Sequence, residues 1–441
     1  MVHIVHCKNI NSSYELCGMS YWGKFALALF FVGGGISLNT NAGEQLIELK
    51  SDHLASVTLH PTDIPTATPF ISLGEGELTL RFDDLNAEYS SYKVRVIHCT
   101  FDWWASDLHP SEYLNGFYEA SIANIEDSFG TKVNYTHYSI DLPNADLAWT
   151  ISGNYCIEVF DPSYPDEILI RKRFIVYENL CTLDAEIIKP LEIAKQRTHQ
   201  EVKFSVTEEN YALLDPYHNL HTVVMQNGRY DNQLSGMQPR FIKGRELDYT
   251  NVGYVFAGGN AYRSADLKSL HFTSIGIASI IQGNDTYHHH MTQNSKRTYK
   301  YHKARQDLNG RFVVFNDRFD AYTESDYTVA HFSLAMLHEM VGKDVFVFGD
   351  ISGGGYPESH KMYWDASKSS YRVDLLLKQG YYDYLYIVKN SSDSFTSPGN
   401  TADIEGDHFA TNNLYSVFVY YADFDGYDRV IGFKQLNSGQ Q

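Results

Sequence analysis

The chain has 441 residues, of which 43% are hydrophobic and 14% aromatic, with 33 Tyr and 25 Phe against 12 Pro. That composition buries cores and argues against a disordered or collagen-like chain. Its 54 acidic and 35 basic residues leave a formal charge of −19, which argues against nucleic-acid binding or adsorption to anionic lipid and reads as self-repulsion that favours solubility.

In chain order, Lys24 precedes an apolar run, FALALFFVGGGISL (Phe25–Leu38). It is too short for a bilayer span, which needs about 20 residues, and it suits the h-region of an export signal. Small residues follow, so cleavage after Ala42 is expected and residues 1–42 are read as a signal peptide. Little positive charge precedes Met19, so the start is left open between Met1 and Met19. Beyond residue 42 no stretch is apolar enough to cross a membrane, and an exported chain without a membrane span is expected. Cys7 and Cys17 would leave with the signal. Cys99, Cys156 and Cys181 have no metal-site spacing and read as buried thiols, with the pairing of Cys99 and Cys156 left open.

Short alternating runs follow, among them GELTLRF (Gly76–Phe82), YKVRVIHC (Tyr92–Cys99), HYSIDL (His137–Leu142), NYCIEVF (Asn154–Phe160) and ILIRKRFIVY (Ile168–Tyr177). In YKVRVIHC the alternation puts Val94, Val96 and His98 on one face and Lys93, Arg95 and Ile97 on the other. One short helix is predicted over Glu119–Phe129, where Ile122, Ile125 and Phe129 recur at three and four residues. Further strands are predicted at Glu201–Val206, at His221–Asn232 with an Asn-Gly hairpin turn, at Ser269–Ser274 and at Arg297–Lys303. From Tyr322 onward the strands are YTVAHFSLAM, DVFVFGD, GYYDYLYIV, YSVFVYYADF and RVIGFKQL. The fold class is therefore all-β, built from tandem antiparallel β-sandwiches, with divisions expected at 44–180, 181–320 and 321–441.

The chemical motifs are thin. His338-Glu339 lacks the second histidine of a zinc protease, since Gly342 holds that place. In TYHHHMT, His288 and His290 share a strand face and form the best metal candidate, though an exposed polar edge strand accounts for them as well. The glycines of FVFGDISGGGYPE (Phe346–Glu358) lack the Lys-Ser or Lys-Thr pair of a phosphate loop. Asp83/Asp84, Asp403/Glu405 and Asp423/Asp425 are carboxylate pairs of the kind glycoside hydrolysis uses, and DFDGYD lacks the later acid of a calcium loop. No enzyme and no cofactor are expected.

SYKVRVIHCTFDWWASDLHPSEYLNGF (Ser91–Phe117), ISGNYCIEVF, MQNGRYDN, VFAGGNAYRSADLKSL, LLLKQGYYDYLYIV and IEGDHFATNNLYSVFVYY, in this order, resemble the Bacteroidetes type IX secretion system plug proteins across the mature chain. The resemblance implies a non-enzymatic periplasmic protein of β-sandwiches, peripheral to the outer membrane. Its partner would be the outer-membrane translocon barrel, docked at the periplasmic mouth so that the idle pore is sealed. The last unit also resembles Ig-like early-set modules that accompany starch-active domains, although ISGGGYPE stands where those commonly carry a tryptophan after FGD. The alternative is thus an exported carbohydrate-binding protein, which a flat platform of Trp104 and Trp364 would favour. Within the aromatic loop Trp103 is assigned to the core, and Trp104, His109, Tyr113 and Asn115 to the partner surface, because aromatic rings with polar handles concentrate at interfaces.

Overall fold

Alternation and pairing divide the described chain into three sandwiches. The computed structural model describes residues 45–209, 211–298, 300, 302–317, 320–394, 396–422 and 426–440. The expected signal peptide, Asp423, Asp425 and the start of DFDGYD lie outside them.

In the first sandwich one sheet orders Leu49–Lys50, Ile168–Tyr177, Gly153–Phe160, Lys93–Cys99 and Glu119–Ser121, with Phe70–Ser72 added in parallel to Ile168–Tyr177. The facing sheet orders Leu54–Pro61, Leu78–Asp84, Thr136–Leu142 and Asn124–Asp127. Val94, Val96 and His98 are buried as the alternation requires, and Val94 and Val96 meet Leu80, Phe82 and Tyr138 in one core. The expected helix at Glu119–Phe129 is instead two short strands, one in each sheet. The chain crosses between layers after Ser121, so Ile122 and Ile125 both turn inward without a helical stripe, and Phe129 is left 74% exposed.

Every residue of Gly153–Phe160 is buried, because this strand is covered on both faces. One face packs in the first core; on the other, Cys99, Trp103, Cys156 and Ile175 pack against Val223, Met225, Phe418, Tyr420 and Val430. Cys99 and Cys156 are free thiols with their sulfurs 3.7 Å apart, and Cys181 is also free and buried.

The second sandwich pairs the sheet of Cys181–Ile188, His199–Glu208, Val255–Ala257, Glu246–Asp248 and Phe241–Lys243 with one ordered Leu234–Ser235, Leu220–Gln226, Leu414–Ala422 and Asp428–Asn437. The Asn-Gly turn forms with positive φ at both Asn227 and Gly228, and Leu234–Ser235 pairs back onto Val223 and Val224. Ser269–Ser274 forms no strand, and neither do the described residues of 297–303.

The third sandwich is a single sheet of ten strands whose path runs Arg263–Asp266, Gly380–Asn390, Lys343–Phe348, Lys361–Asp365, Ser370–Lys378, Tyr327–Ala335, Tyr287–Met291 and Ile277–Gln282. It folds over so that Tyr382, Tyr384 and Tyr386 share a core with Phe332, Val373 and Leu375. The expected division at residue 320 is crossed by hydrogen-bonded strands, since Arg263–Asp266 and Phe312–Val314 both pair with Gly380–Asn390. The last hairpin, expected in the third unit, completes the second, with Leu220–Gln226 pairing Leu414–Ala422. Alternation reports which face of a strand is buried, and these partners lie far apart in sequence, so the alternation carried no sign of the insertion.

Polar contacts fasten the layers. Between the first and third sandwiches, Lys378 Nζ donates to Asp83 Oδ2 at 2.6 Å with both residues 1% exposed, and the Tyr327 hydroxyl donates to the same oxygen at 2.6 Å. Between the first and second, Arg429 forks onto Glu178 at 2.7 and 2.9 Å, and Tyr420 donates to Asn154 Oδ1 at 2.8 Å.

Candidate functional site

The aromatic loop begins where Lys93–Cys99 ends. The Trp103 amide donates to Thr100 O at 3.0 Å, and Trp103 itself sits at φ 71°. That left-handed residue reverses the chain, so consecutive tryptophans part company. Trp103 turns inward to 1% exposure, under the Arg173 guanidinium at 4.6 Å and edge-on to Tyr230 at 5.2 Å. Trp104 turns outward and is 39% exposed.

Further on, His109 caps one turn of helix, Pro110–Tyr113, and its amide donates to Glu112 Oε2 at 2.6 Å. Tyr113 does not belong to the surface expected for it. It is 3% exposed, its hydroxyl donates to Val96 O at 3.2 Å, and burial pushes its pKa up. The cause is the helical turn, which points residue 113 back onto the sheet. Asn115 is exposed in a short strand facing Ala148. Gly116 follows at φ 101°, and a Cβ there would lie 2.4 Å from Asp146 O, so only glycine lets the two chains close. Beyond it Phe117 is 67% and Tyr118 44% exposed. The exposed rings in this loop are therefore Trp104, His109, Phe117 and Tyr118, and Asn115 is exposed beside them. Phe117 and Tyr118 were missed because an apolar residue next to a strand reads as core, and only the turn at Gly116 reveals which way they face.

His288 and His290 do share a strand face, and a neighbouring strand adds His331. The rings stack, 5.2 Å for His288 on His331 and 4.6 Å for His290 on His331. Nδ1 of His288 and Nε2 of His331 lie 3.0 Å apart, and His331 Nδ1 reaches Asp374 Oδ1 at 2.7 Å. These nitrogens are committed to one another, and among the described residues no three ligand-type side chains are gathered to hold a metal ion.

A cavity of about 900 Å3 lies among the sandwiches, walled by 45–57 and 172–173 of the first, 230–233 of the second and 350–360 and 374–378 of the third. The loop FGDISGGGYPE thus lines a cavity. It is anchored by a hydrogen bond from the Tyr356 hydroxyl to Asp231, whose carboxylate also holds Arg229 at 2.7 Å. Burial works to raise the Asp231 pKa, but Arg229 and the hydrogen bonds outweigh it and hold the carboxyl below the usual range. Three more lining carboxylates have close partners, Glu48 with Lys172 at 2.9 Å, Asp350 with Arg311 at 3.0 Å and Asp374 with His331 at 2.7 Å, while Asp52 lines the cavity outside these pairs. Carboxylates each held by a cation, as Asp231, Glu48 and Asp350 are, are set to position groups, unlike a pair sharing a proton for acid–base work. Trp364 packs on Tyr371 at 5.2 Å against the third core, whereas Trp104 belongs to a loop of the first sandwich.

Residues 54–178 match a family profile described as the type 9 secretion system plug protein first domain. The chain is similar to the crystal structure of a hypothetical protein from Parabacteroides merdae, at 30% identity and a TM-score of 0.85, covering 89% of this chain and 99% of that one. Weaker likenesses are to part of the N-terminal region of an enterococcal surface protein (6% identity, TM-score 0.18, 90% of this chain and 96% of that one) and to trypsin-activated alpha-2-macroglobulin from Escherichia coli (11%, 0.19, 88% and 29%). No curated protein matches the chain.

Proposed function

The chain belongs to the type IX secretion system plug protein family, and we propose that it is a non-enzymatic, periplasmic stopper that docks on the periplasmic mouth of the outer-membrane translocon barrel and seals the idle pore. A pore wide enough for folded cargo leaks unless something stiff fills or covers it. The fused sandwiches meet that need. The shared cluster around Trp103 joins the first and second, and the buried Asp83–Lys378 pair joins the first and third, so the layers resist hinging.

The observation that carries the docking reading is the exposure of Trp104, Phe117 and Tyr118 in one loop beside the polar His109 and Asn115. Wide barrels are polar inside and at the rim, and rings flanked by polar groups suit such a partner better than a purely apolar patch. A standard interface of roughly 1,600 Å2 still permits release, because area does not set affinity. The test is affinity purification of the tagged barrel from outer membranes. The reading expects this chain in the eluate of wild-type cells; its absence there rules the reading out.

A further inference from the structure

The docking loop leaves the cavity among the sandwiches unused, and that cavity holds unspent binding capacity. Arg173 is 6% exposed. Its guanidinium lies beside the edge-on pair Trp103 and Tyr230, at 4.6 and 5.3 Å from the two rings, and its Nε donates to Leu46 O at 2.7 Å. Its Nη2 nitrogen lines up with no acceptor at all. A buried guanidinium N–H without a partner is costly, and it asks for an oxygen from outside the chain. The lysines of the lining are already engaged, Lys172 with Glu48, Lys378 with Asp83 and Lys50 with the carbonyls of Ser51 and Leu54, so Arg173 Nη2 is the donor left over beside them.

Another strand in the lining offers main chain. Ser370–Lys378 pairs with Tyr327–Ala335 along its whole length, but on its other edge only Ser370–Arg372 are paired, with Tyr363–Asp365. Asp374–Lys378 all line the cavity, and among the described residues no strand covers that edge. Leu54–Pro61, the outermost strand of its own sheet, also lines the cavity with its first residues, Leu54–Val57. An open strand edge is a template for a further strand.

We propose that this cavity is a receptor for an extended peptide segment that ends in a free carboxylate. The segment adds as a strand to the open edge of Asp374–Lys378, and its carboxylate lands on Arg173 Nη2. Its apolar side chains lie against Leu49, Phe312 and Tyr382, which share the cavity. Strand addition supplies affinity through main-chain hydrogen bonds, and capture of a terminal carboxylate by a guanidinium fixes the register. The volume, about 900 Å3, falls within the span of ligand sites, roughly 300–1,000 Å3, and such sites favour junctions between domains.

The probes are two pools of fluorescent hexapeptides that alternate threonine with valine or leucine. One pool has free C-terminal carboxylates and the other is amidated. Each is titrated into the full chain and read by anisotropy. The free-acid pool binds saturably. Amidation weakens it about tenfold or more, the loss of one charge-assisted hydrogen bond, and Arg173→Gln does the same. Leu49→Trp, which fills the cavity and leaves Arg173 in place, also abolishes binding and keeps the assay decisive should Arg173→Gln misfold. No saturable binding of the free-acid pool overturns the proposal, as does unchanged binding by folded Arg173→Gln. Equal binding of the amidated pool overturns the carboxylate. Any of these results leaves the barrel-docking reading standing, since that rests on a different loop.

Discussion

His98, second to last in the strand Lys93–Cys99, is 1% exposed, its Nδ1 2.9 Å from the Ser106 hydroxyl. Burial opposes the charged ring and pushes its pKa down to about 4. In the unfolded chain the ring titrates near its ordinary value of about 6.5. The unfolded state therefore binds more protons between these values. The stability is fully present above about pH 6.5 and is lost as pH falls towards 4, by about 3 kcal/mol in all at ~1.4 kcal/mol per unit. Urea unfolding at pH 7.5 and pH 5 checks this. The midpoint drops on acidification in the wild type and drops less in His98→Gln, which has no ring to protonate. The buried position of His98 was legible in the sequence, because it falls in step with Val94 and Val96. Its suppressed charge was not, since that depends on a second sheet packed over it.

At the scale of elements, the strands that read most clearly were long and alternating. Ile168–Tyr177 forms with the bounds the sequence gives it. The elements misread were those governed by where the chain turns. Ile122 and Ile125 belong to a crossing between sheets, and Tyr113 is folded inward by the turn that His109 caps. Of the expected surface residues, Trp104, His109 and Asn115 are exposed and Tyr113 is not. In a loop, the direction of a side chain is set by single backbone angles such as φ 71° at Trp103, and composition does not encode them. The corrected loop yields a prediction. Replacing Trp104 and Phe117 together by alanine removes exposed rings, so the unfolding free energy from urea titration stays within about 0.5 kcal/mol of wild type. Recovery with the tagged barrel falls at least about tenfold, as expected if these rings are among the anchors. Tyr113→Phe, which alters a buried hydroxyl, leaves recovery unchanged.

At the scale of the molecule, the third sandwich is inserted between strands of the second, and both are fastened to the first. The sequence offered the all-β class but not this threading, because pairings such as Leu220–Gln226 with Leu414–Ala422 span nearly half the chain. Rigidity then rests on buried junctions. Asp83 receives Lys378 and Tyr327 from the third sandwich, while His137 of its own sandwich lies 2.6 Å from its other oxygen. Burial alone would raise the Asp83 pKa, but Lys378 and His137 overcome it and hold the carboxyl below the usual range. Removing one partner strands the other charge. Lys378→Met costs about 3–5 kcal/mol in urea unfolding, and adding Asp83→Leu to it restores much of the loss, because the pair itself adds little beyond its own desolvation. Sandwiches joined by such buried contacts are expected to unfold together, so calorimetry is predicted to give a single transition for the wild type, and separate transitions would contradict it.

Sealing is what distinguishes a plug from any other companion of the translocon. The most direct measurement is the ionic conductance of the purified barrel in a planar bilayer, before and after the purified chain is added to the periplasmic side. The account predicts that conductance falls as the chain binds and returns when it is washed away, and that the chain lacking the Trp104 and Phe117 rings leaves the pore open. A barrel that holds the chain stably and conducts as before would contradict it.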